Sequence, residues 1–413
     1  MKKKSKRLST RSPTLDSIRE AAKVLGKHLP ISPLLYNPWM SARYGCEIYL
    51  KLENMQPIGS FKIRGATNKI ALLTPVERRK GVIAASAGNH AQGVAWGAKK
   101  LGVKATIVMP RGAPLMKIQN TENLGAEVIL AGDTYDECFA VAQKLAKKTG
   151  KILVHAFDDP AVISGQGTVA TELLGQLPDL DAVVCSVGGG GLLSGISIVL
   201  NELRPKVKIY AAQAAGAASM AMSFKKGRPI ALEKVETFAD GIAVGTTRRM
   251  PYEILKKSVD KMLLADDESI AAAILTLIEK AKVVAEGAAA VSVAVLDQIK
   301  SELKGKKVVI IVCGGNIDVN VLNRVIDRGL IRKGRRLRVN VLISDRPGSL
   351  ARLTTAIAGA GANVIQAIHD RSEPSVTLDR TEVALTLETR GHDHSADVIK
   401  ALKAVVMNIA VVH

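Results

Sequence analysis

The chain has 413 residues, 47% of them apolar but only 3% aromatic, with 35 glycines and a formal net charge of +20. That length sustains a large core and more than one domain, and the aliphatic, glycine-rich makeup suits packed α/β units, unlike collagen-like or disordered sequence. More than half of the charge sits in Lys2, Lys3, Lys4, Lys6, Arg7 and Arg11 and in the run from Arg324 to Arg338, without aromatics for base stacking, so no nucleic-acid partner is expected.

The basic N-terminus is not followed by an apolar stretch, so a secretory signal is not expected. From residue 47, "EIYLKLE", "GVIAAS", "KATIVMP", "AEVILAG", "KILVHAF", "DAVVCSV", "KIYAAQA" and "KVVIIVCGG" read as buried strands. Between them, "HAQGVAWGAKKLG" and "YDECFAVAQKLAKKTG" carry apolar residues at helical spacing. This alternation predicts crossover units on mostly parallel sheet, a fold that places ligands at the strands' carboxyl ends. The most apolar runs are interrupted by glycines or a glutamate and read as core, so no membrane span is expected. Cys46, Cys138, Cys185 and Cys313 are scattered, which argues against a zinc site or a disulfide frame and for a reducing, cytoplasmic setting. After "DRGLIRKGRR" the texture changes, and from about residue 336 the order becomes βαββαβ in a short module.

Four stretches carry chemistry. In "IGSFKIRGA", Lys62 follows a Gly-Ser turn and Phe61 and precedes a helix start. A lysine becomes useful when its pKa is lowered and its amine faces a carbonyl, and Schiff-base formation with pyridoxal 5′-phosphate (PLP) is the leading case. In "ASAGNHAQG", Ser86, Ala87, Gly88, Asn89 and His90 join a strand to a helix and form a nest for an α-carboxylate; the His90 ring can equally bond locally. In "SVGGGGLLSG", Gly188, Gly189, Gly190 and Gly191 with Leu192 read as a phosphate cradle or a plain tight turn. Leu192 and Leu193 exclude a P-loop, and the third glycine of a dinucleotide fingerprint is missing. Glu286, inside "VVAEGAAAVSVAVL", must be paired or neutral, either supporting the site or acting in it directly.

With "CGGN" at Cys313–Asn316, these motifs in this order resemble the fold-type-II PLP enzymes, and more narrowly the threonine/serine dehydratases, over about residues 13–325. The resemblance implies two parallel-sheet α/β subdomains and PLP as cofactor. Lys62 would be the Schiff-base lysine, Phe61 would pack on the cofactor, and Asn89 would bond its ring oxygen. Gly188 to Leu192 would hold its phosphate, and Cys313 would face its ring nitrogen unless it is an inert buried thiol. Residues Ser86 to His90 would bind a small amino-acid substrate. The implied reaction converts L-threonine to 2-oxobutanoate and ammonia, and L-serine to pyruvate. Ile63 departs from the Asp of related sulfhydrylases and threonine synthases. Ala87 stands where serine racemases usually place a serine. Gln213 and Ser219 stand where relatives carry a cation-binding acidic pair, so no metal is expected. A racemase or another β-eliminating lyase remains the enzymatic alternative, and an inactive amino-acid sensor the other.

The terminal module, with "SDRPGSLARL", resembles a ferredoxin-like ACT domain. The resemblance implies an amino-acid effector, isoleucine or valine, at Asp345, Arg346, Pro347, Gly348, Ser349 and Leu350 with Asn363 opposite, or else a dimerisation module with no ligand. The expected divisions are a basic tail (1–12), a catalytic domain (13–325), a basic linker (326–336) and the ACT domain (337–413), in a homodimer or homotetramer.

Overall fold

A computed structural model of the chain describes residues 12–371 and 377–412, so all of the expected basic tail except Ser12 lies outside the described residues. The chain divides between Ile317 and Asp318 into two compact units. The first contains strands β1 (Leu34–Tyr36), β2 (Glu47–Leu52), β3 (Val82–Ala85), β4 (Ala105–Met109) and β5 (Glu127–Leu130). It continues with β6 (Ile152–Leu153), β7 (Ala182–Ser186), β8 (Lys208–Ala214), β9 (Lys261–Ala265) and β10 (Lys307–Val312). They form a six-stranded sheet, β1-β2-β10-β7-β8-β9, and a four-stranded one, β5-β4-β3-β6. Every pairing is parallel except that of β1 with β2.

All eight expected strands are present, and the parallel sheets follow from them. β7 is buried along its whole length, as a strand covered on both faces must be. β1 and β9 were not expected. β1 is a three-residue edge strand between Pro33 and Pro38, and β9 pairs on one side only, so neither needed a continuous apolar signal. "KILVHAF" pairs at only two residues, because the Phe157 and Asp158 N–H groups turn back to His155 Nδ1 at 3.2 and 2.9 Å.

Helix Pro160–Gln176 organises the core beside the site. Pro160 suits its first turn, and Asp159 Oδ1 accepts from the N–H groups of Ala161 and Val162 at 2.8 and 3.1 Å. It packs on helix Lys62–Ala71 so closely that a methyl on Gly165 would lie 2.7 Å from the Arg64 carbonyl oxygen. Only glycine permits that approach.

The second unit opens with helix Val319–Arg332, followed by β11 (Arg336–Ser344), β12 (Asn363–Asp370), β13 (Arg380–Glu388) and β14 (Asn408–Val411). The sheet is antiparallel in the order β12-β13-β11-β14. One face buries Val339, Val341, Val383 and Leu385 against Leu353 and Ile357 of helix Ser349–Gly359 and Val398 and Leu402 of helix His392–Lys403. The βαββαβ order is as read from the sequence. Most of the run expected as a linker (326–336) belongs to helix Val319–Arg332, which begins before it and whose Val321, Leu322 and Val325 line one side, and Asp327 of that helix binds Arg336 and Arg338.

Candidate active site

Lys62 begins helix Lys62–Ala71, and its turn is fastened to the end of β10. Phe61 N–H donates to the Cys313 carbonyl at 3.0 Å, Gly315 N–H donates to the Gly59 carbonyl at 2.9 Å, and Ser60 bridges to Gly314. The Lys62 Nζ lies 5.2 Å from the centroid of the Phe61 ring and donates to the Ala156 carbonyl at 3.1 Å. The residue is half-buried, but protein atoms crowd its amine, and that burial lowers its pKa to about 8; Cys313 and Glu286 offset part of the effect. A neutral, nucleophilic amine is therefore within reach near physiological pH.

The glycine loop joins β7 to helix Gly191–Leu203, with Gly190 at φ +88° and no side chain capping the helix. The N–H groups of Gly188, Gly189, Gly190, Gly191 and Leu192 meet no acceptor among the described residues. Side chains are excluded here. A methyl on Gly189 would fall 2.3 Å from the Phe157 ring, and one on Gly188 would fall 2.9 Å from the Ile242 Cα. Five bare amides at the positive end of a buried helix make a cradle for an anion. A plain tight turn would not leave so many donors unused.

Ser86, Ala87 and Gly88 lead from β3 into helix Asn89–Lys100. Gly88 N–H donates to Ser86 Oγ at 3.1 Å, whereas the N–H groups of Ala87, Asn89 and His90 have no acceptor among the described residues. The His90 ring is buried, and its Nε2 donates to the Val154 carbonyl at 2.8 Å. Burial lowers its pKa to about 3, so the ring is neutral and serves the core. What His90 offers the loop is its backbone N–H.

Asn89 Nδ2 lies 2.8 and 3.0 Å from the two carboxylate oxygens of Glu286, and its Oδ1 accepts from Asn316 Nδ2 at 2.7 Å. The supporting role open to Glu286 is thus the one its contacts match. Burial raises its pKa to about 7 despite the Asn89 hydrogen bond. Cys313 follows β10, whose parallel register with β7 brings its thiol to Ser186, and Ser186 Oγ donates to Sγ at 3.4 Å. Burial pushes the thiol to about 12, so it is neutral.

Sequence reasoning missed three features. Asn316 stood inside "CGGN" without a role. The Phe157 ring, which fills the space beneath the glycine loop, lay in a segment read as strand. Two residues past Lys62, Arg64 binds Glu53 through Nε at 2.7 Å and Nη2 at 2.8 Å, and Glu172 through Nη1 at 2.6 Å; Lys51 reaches Glu172 at 2.7 Å. Arg64 and Glu53 are buried, and the four charges balance. "KLEN" and "KIRGA" supplied three of these letters, but only the fold shows that they meet.

Gln213 Oε1 accepts from Ala221 N–H at 3.1 Å, and Ser219 Oγ donates to the Val244 carbonyl at 2.7 Å. Among the described residues no group of three or more His, Cys, Asp or Glu could hold a metal ion. None of their helices is long and apolar enough to cross a membrane.

In the second unit, Pro347 and Gly348 precede helix Ser349–Gly359, and the Arg346 and Ser349 N–H groups are used locally, on Ser344 and Arg346. Asp345 pairs with Arg371 at 2.9 Å. The N–H groups of Gly348 and Leu350 have no acceptor among the described residues. Asn363 does not face this loop. It pairs with Glu388, whereas Ser344 pairs with Arg380, so roughly 27 Å of strand separates the two ends within one chain. The expectation of Asn363 opposite the loop is corrected by this register.

Comparisons with known proteins agree with this geometry. Residues 27–314 match the family model "Pyridoxal-phosphate dependent enzyme", and residues 337–406 match "ACT domain". The chain is 48% identical to an L-threonine ammonia-lyase of Thermotoga maritima over 95% of this chain and 97% of that one. Among solved structures, a processed threonine deaminase isoform from Solanum lycopersicum superposes with a TM-score of 0.72 at 36% identity, covering 78% of this chain and 91% of that one. Maize serine racemase superposes at 0.73 with 33% identity, covering 78% and 99%. With a lysine whose amine is crowded by protein, a glycine loop with bare amides and this similarity along nearly its whole length, the chain belongs to the pyridoxal-phosphate dependent enzymes and carries a C-terminal ACT domain.

Proposed function

We propose that this protein is an ammonia-lyase that converts L-threonine to 2-oxobutanoate and ammonia, and L-serine to pyruvate and ammonia, by β-elimination. One observation carries the reading: the amine of Lys62, the free loop amides of Ala87, Asn89 and His90, and the glycine cradle all stand at the carboxyl ends of parallel strands. Relatives named L-threonine ammonia-lyase support it over most of the chain.

The residues fit PLP. The five unused amides of Gly188 to Leu192 match its phosphate, Asn89 its ring oxygen, the neutral Cys313 thiol its ring nitrogen, and Phe61 its flank. When bound, PLP supplies an aldehyde that condenses with amines and a ring that draws electrons from the substrate's Cα.

The chain's residues supply the rest. The Ser86–His90 loop binds the α-carboxylate through backbone N–H groups at a helix start. Lys62, its pKa lowered by burial, takes the Cα proton and returns a proton to the departing β-hydroxyl, which leaves as water. Water then replaces the amine, releasing ammonia, so the conversion involves no net oxidation. A neutral thiol stabilises a protonated ring nitrogen less than a carboxylate does. That limits electron withdrawal and favours expulsion of the β-group.

The likeness to maize serine racemase makes racemisation the second reading. Against it, the Ala87 methyl offers no proton to the substrate's other face. The intact Lys62, Asn89 and glycine loop count against an inactive sensor.

An amino-acid effector, isoleucine or valine, at the Asp345–Leu350 loop belongs to the same proposal, as do action in the cytoplasm and assembly as a homodimer or homotetramer. The free N–H groups of Gly348 and Leu350 support the effector site, and four free thiols suit a reducing compartment. The decisive experiment is Lys62→Ala. The variant should lose both the visible absorbance of PLP-reconstituted protein and keto-acid release from L-threonine; retained turnover would reject the assignment.

A further inference from the structure

Asn89 is held from both sides. Its Oδ1 accepts from Asn316 Nδ2 at 2.7 Å, and Asn316 Nδ2 also donates to the Ile58 carbonyl at 2.7 Å, which ties it to the lysine turn. On the other side, Nδ2 of Asn89 faces both oxygens of Glu286 at 2.8 and 3.0 Å. Two oxygens on one carbon subtend far less than the wide angle between the N–H bonds of a carboxamide. Glu286 therefore occupies one N–H of Asn89, and the second N–H is left without an acceptor among the described residues.

An isolated asparagine amide can turn over at little cost, exchanging donor for acceptor. Here a turn would set Nδ2 of Asn89 against the Asn316 amide nitrogen, donor against donor, and Oδ1 against Glu286, which repels it when ionised; with the Glu286 pKa at about 7, Asn316 is the firmer of the two restraints. Asn316 cannot turn to accommodate it, because its Nδ2 is engaged by Ile58. It is confined as well by Gly59, where a methyl would fall 2.4 Å from Asn316 Oδ1.

We propose that Asn316 and Glu286 are positioning residues that lock the Asn89 carboxamide in one orientation, so that it presents a single N–H donor to the ring oxygen of PLP. The proposal rests on the PLP reading above. A ring oxygen that receives a hydrogen bond is held as the anion, the form of the lysine-linked cofactor that absorbs in the visible. A turned amide would present its carbonyl oxygen and favour the protonated ring oxygen, which absorbs in the near ultraviolet.

The test uses the full-length protein reconstituted with PLP, reading the absorbance spectrum and the PLP dissociation constant. Parent protein that stays colourless would reject the PLP reading itself, and this inference with it. In coloured parent protein, Asn316→Ala should move bound cofactor from the visible to the near-ultraviolet band and weaken PLP binding about tenfold, the scale of one hydrogen bond to a charged group. Glu286→Gln, which keeps an acceptor facing Asn89 and leaves Asn316 in place, should largely retain the visible band. In an Asn89→Ala background, Asn316→Ala should cause no further spectral change. If Asn316→Ala does not fold, Asn316→Asp is read in the same way, since its carboxylate rejects the present orientation. A parent-like spectrum and affinity in the folded Asn316 variant, or an undiminished effect without Asn89, would overturn the proposal while leaving the PLP reading intact.

Discussion

Replacing Arg64 with methionine tests the buried charge cluster that anchors the lysine helix. Arg64 donates to Glu53 at 2.7 and 2.8 Å and to Glu172 at 2.6 and 2.8 Å, with Thr168 at 3.1 Å. Without it, buried Glu53 keeps one hydroxyl partner, Ser32, and Lys51 alone must answer two carboxylates. Removing one member of a buried ion pair costs about 3–5 kcal/mol, because the other charge stays buried and uncompensated. At about 2 °C per kcal/mol for a unit of this size, the melting temperature should fall about 6–10 °C. Burial by itself would raise the pKa of Glu172, but Arg64 and Lys51 hold it below the ordinary carboxylate value. Its contribution is thus present above that value, lost as pH falls through the lowered one, and diminished in the variant. The double variant Arg64→Met/Glu53→Met leaves the Lys51–Glu172 pair and should recover most of the loss. Thermal denaturation by circular dichroism at one fixed PLP concentration measures all three proteins. An Arg64→Met protein within about 1 kcal/mol of the parent, or a double variant worse than the single, would refute the reasoning.

Gly189→Ala should weaken PLP binding and cost about 1–3 kcal/mol of stability, as its methyl overlaps the Phe157 ring; equilibrium dialysis and denaturation would measure these, and adding Phe157→Leu should restore part of both. The rate of PLP uptake by apoprotein should rise with pH through about 8, not through 10.5, because burial disfavours the charged form of Lys62 and the neutral amine is the nucleophile; a stopped-flow pH series checks the midpoint. Ala87→Ser should add D-serine to the products formed from L-serine by supplying a hydroxyl proton on the other face, which chiral chromatography would detect.

The pattern of short apolar runs and alanine-rich helices was enough to read two kinds of sheet and a βαββαβ tail, because burial on both faces imposes continuous hydrophobicity and a crossover imposes alternation. Lys62 and the glycine loop stood out as candidates for a related reason, whereas the roles of Asn89 and Cys313 came only from the family resemblance. Backbone approach to an anion demands glycine, and a lysine framed by a Gly-Ser turn and an aromatic is unusual at a surface. The helix that runs through the expected linker was not foreseen, because a run of like charges shows no pairing until Asp327 is seen to bind Arg336 and Arg338. Asn363 was misplaced because only register sets which ends of two strands meet. The Arg64–Glu53–Glu172–Lys51 cluster and the Glu286–Asn89–Asn316 chain were invisible for the same reason. Each joins residues distant in sequence, and a hydrogen bond depends on direction and distance, which packing sets. Composition and local pattern determined which chemistry the chain can hold; tertiary packing decided which side chains face one another, and so which proton each can give or take.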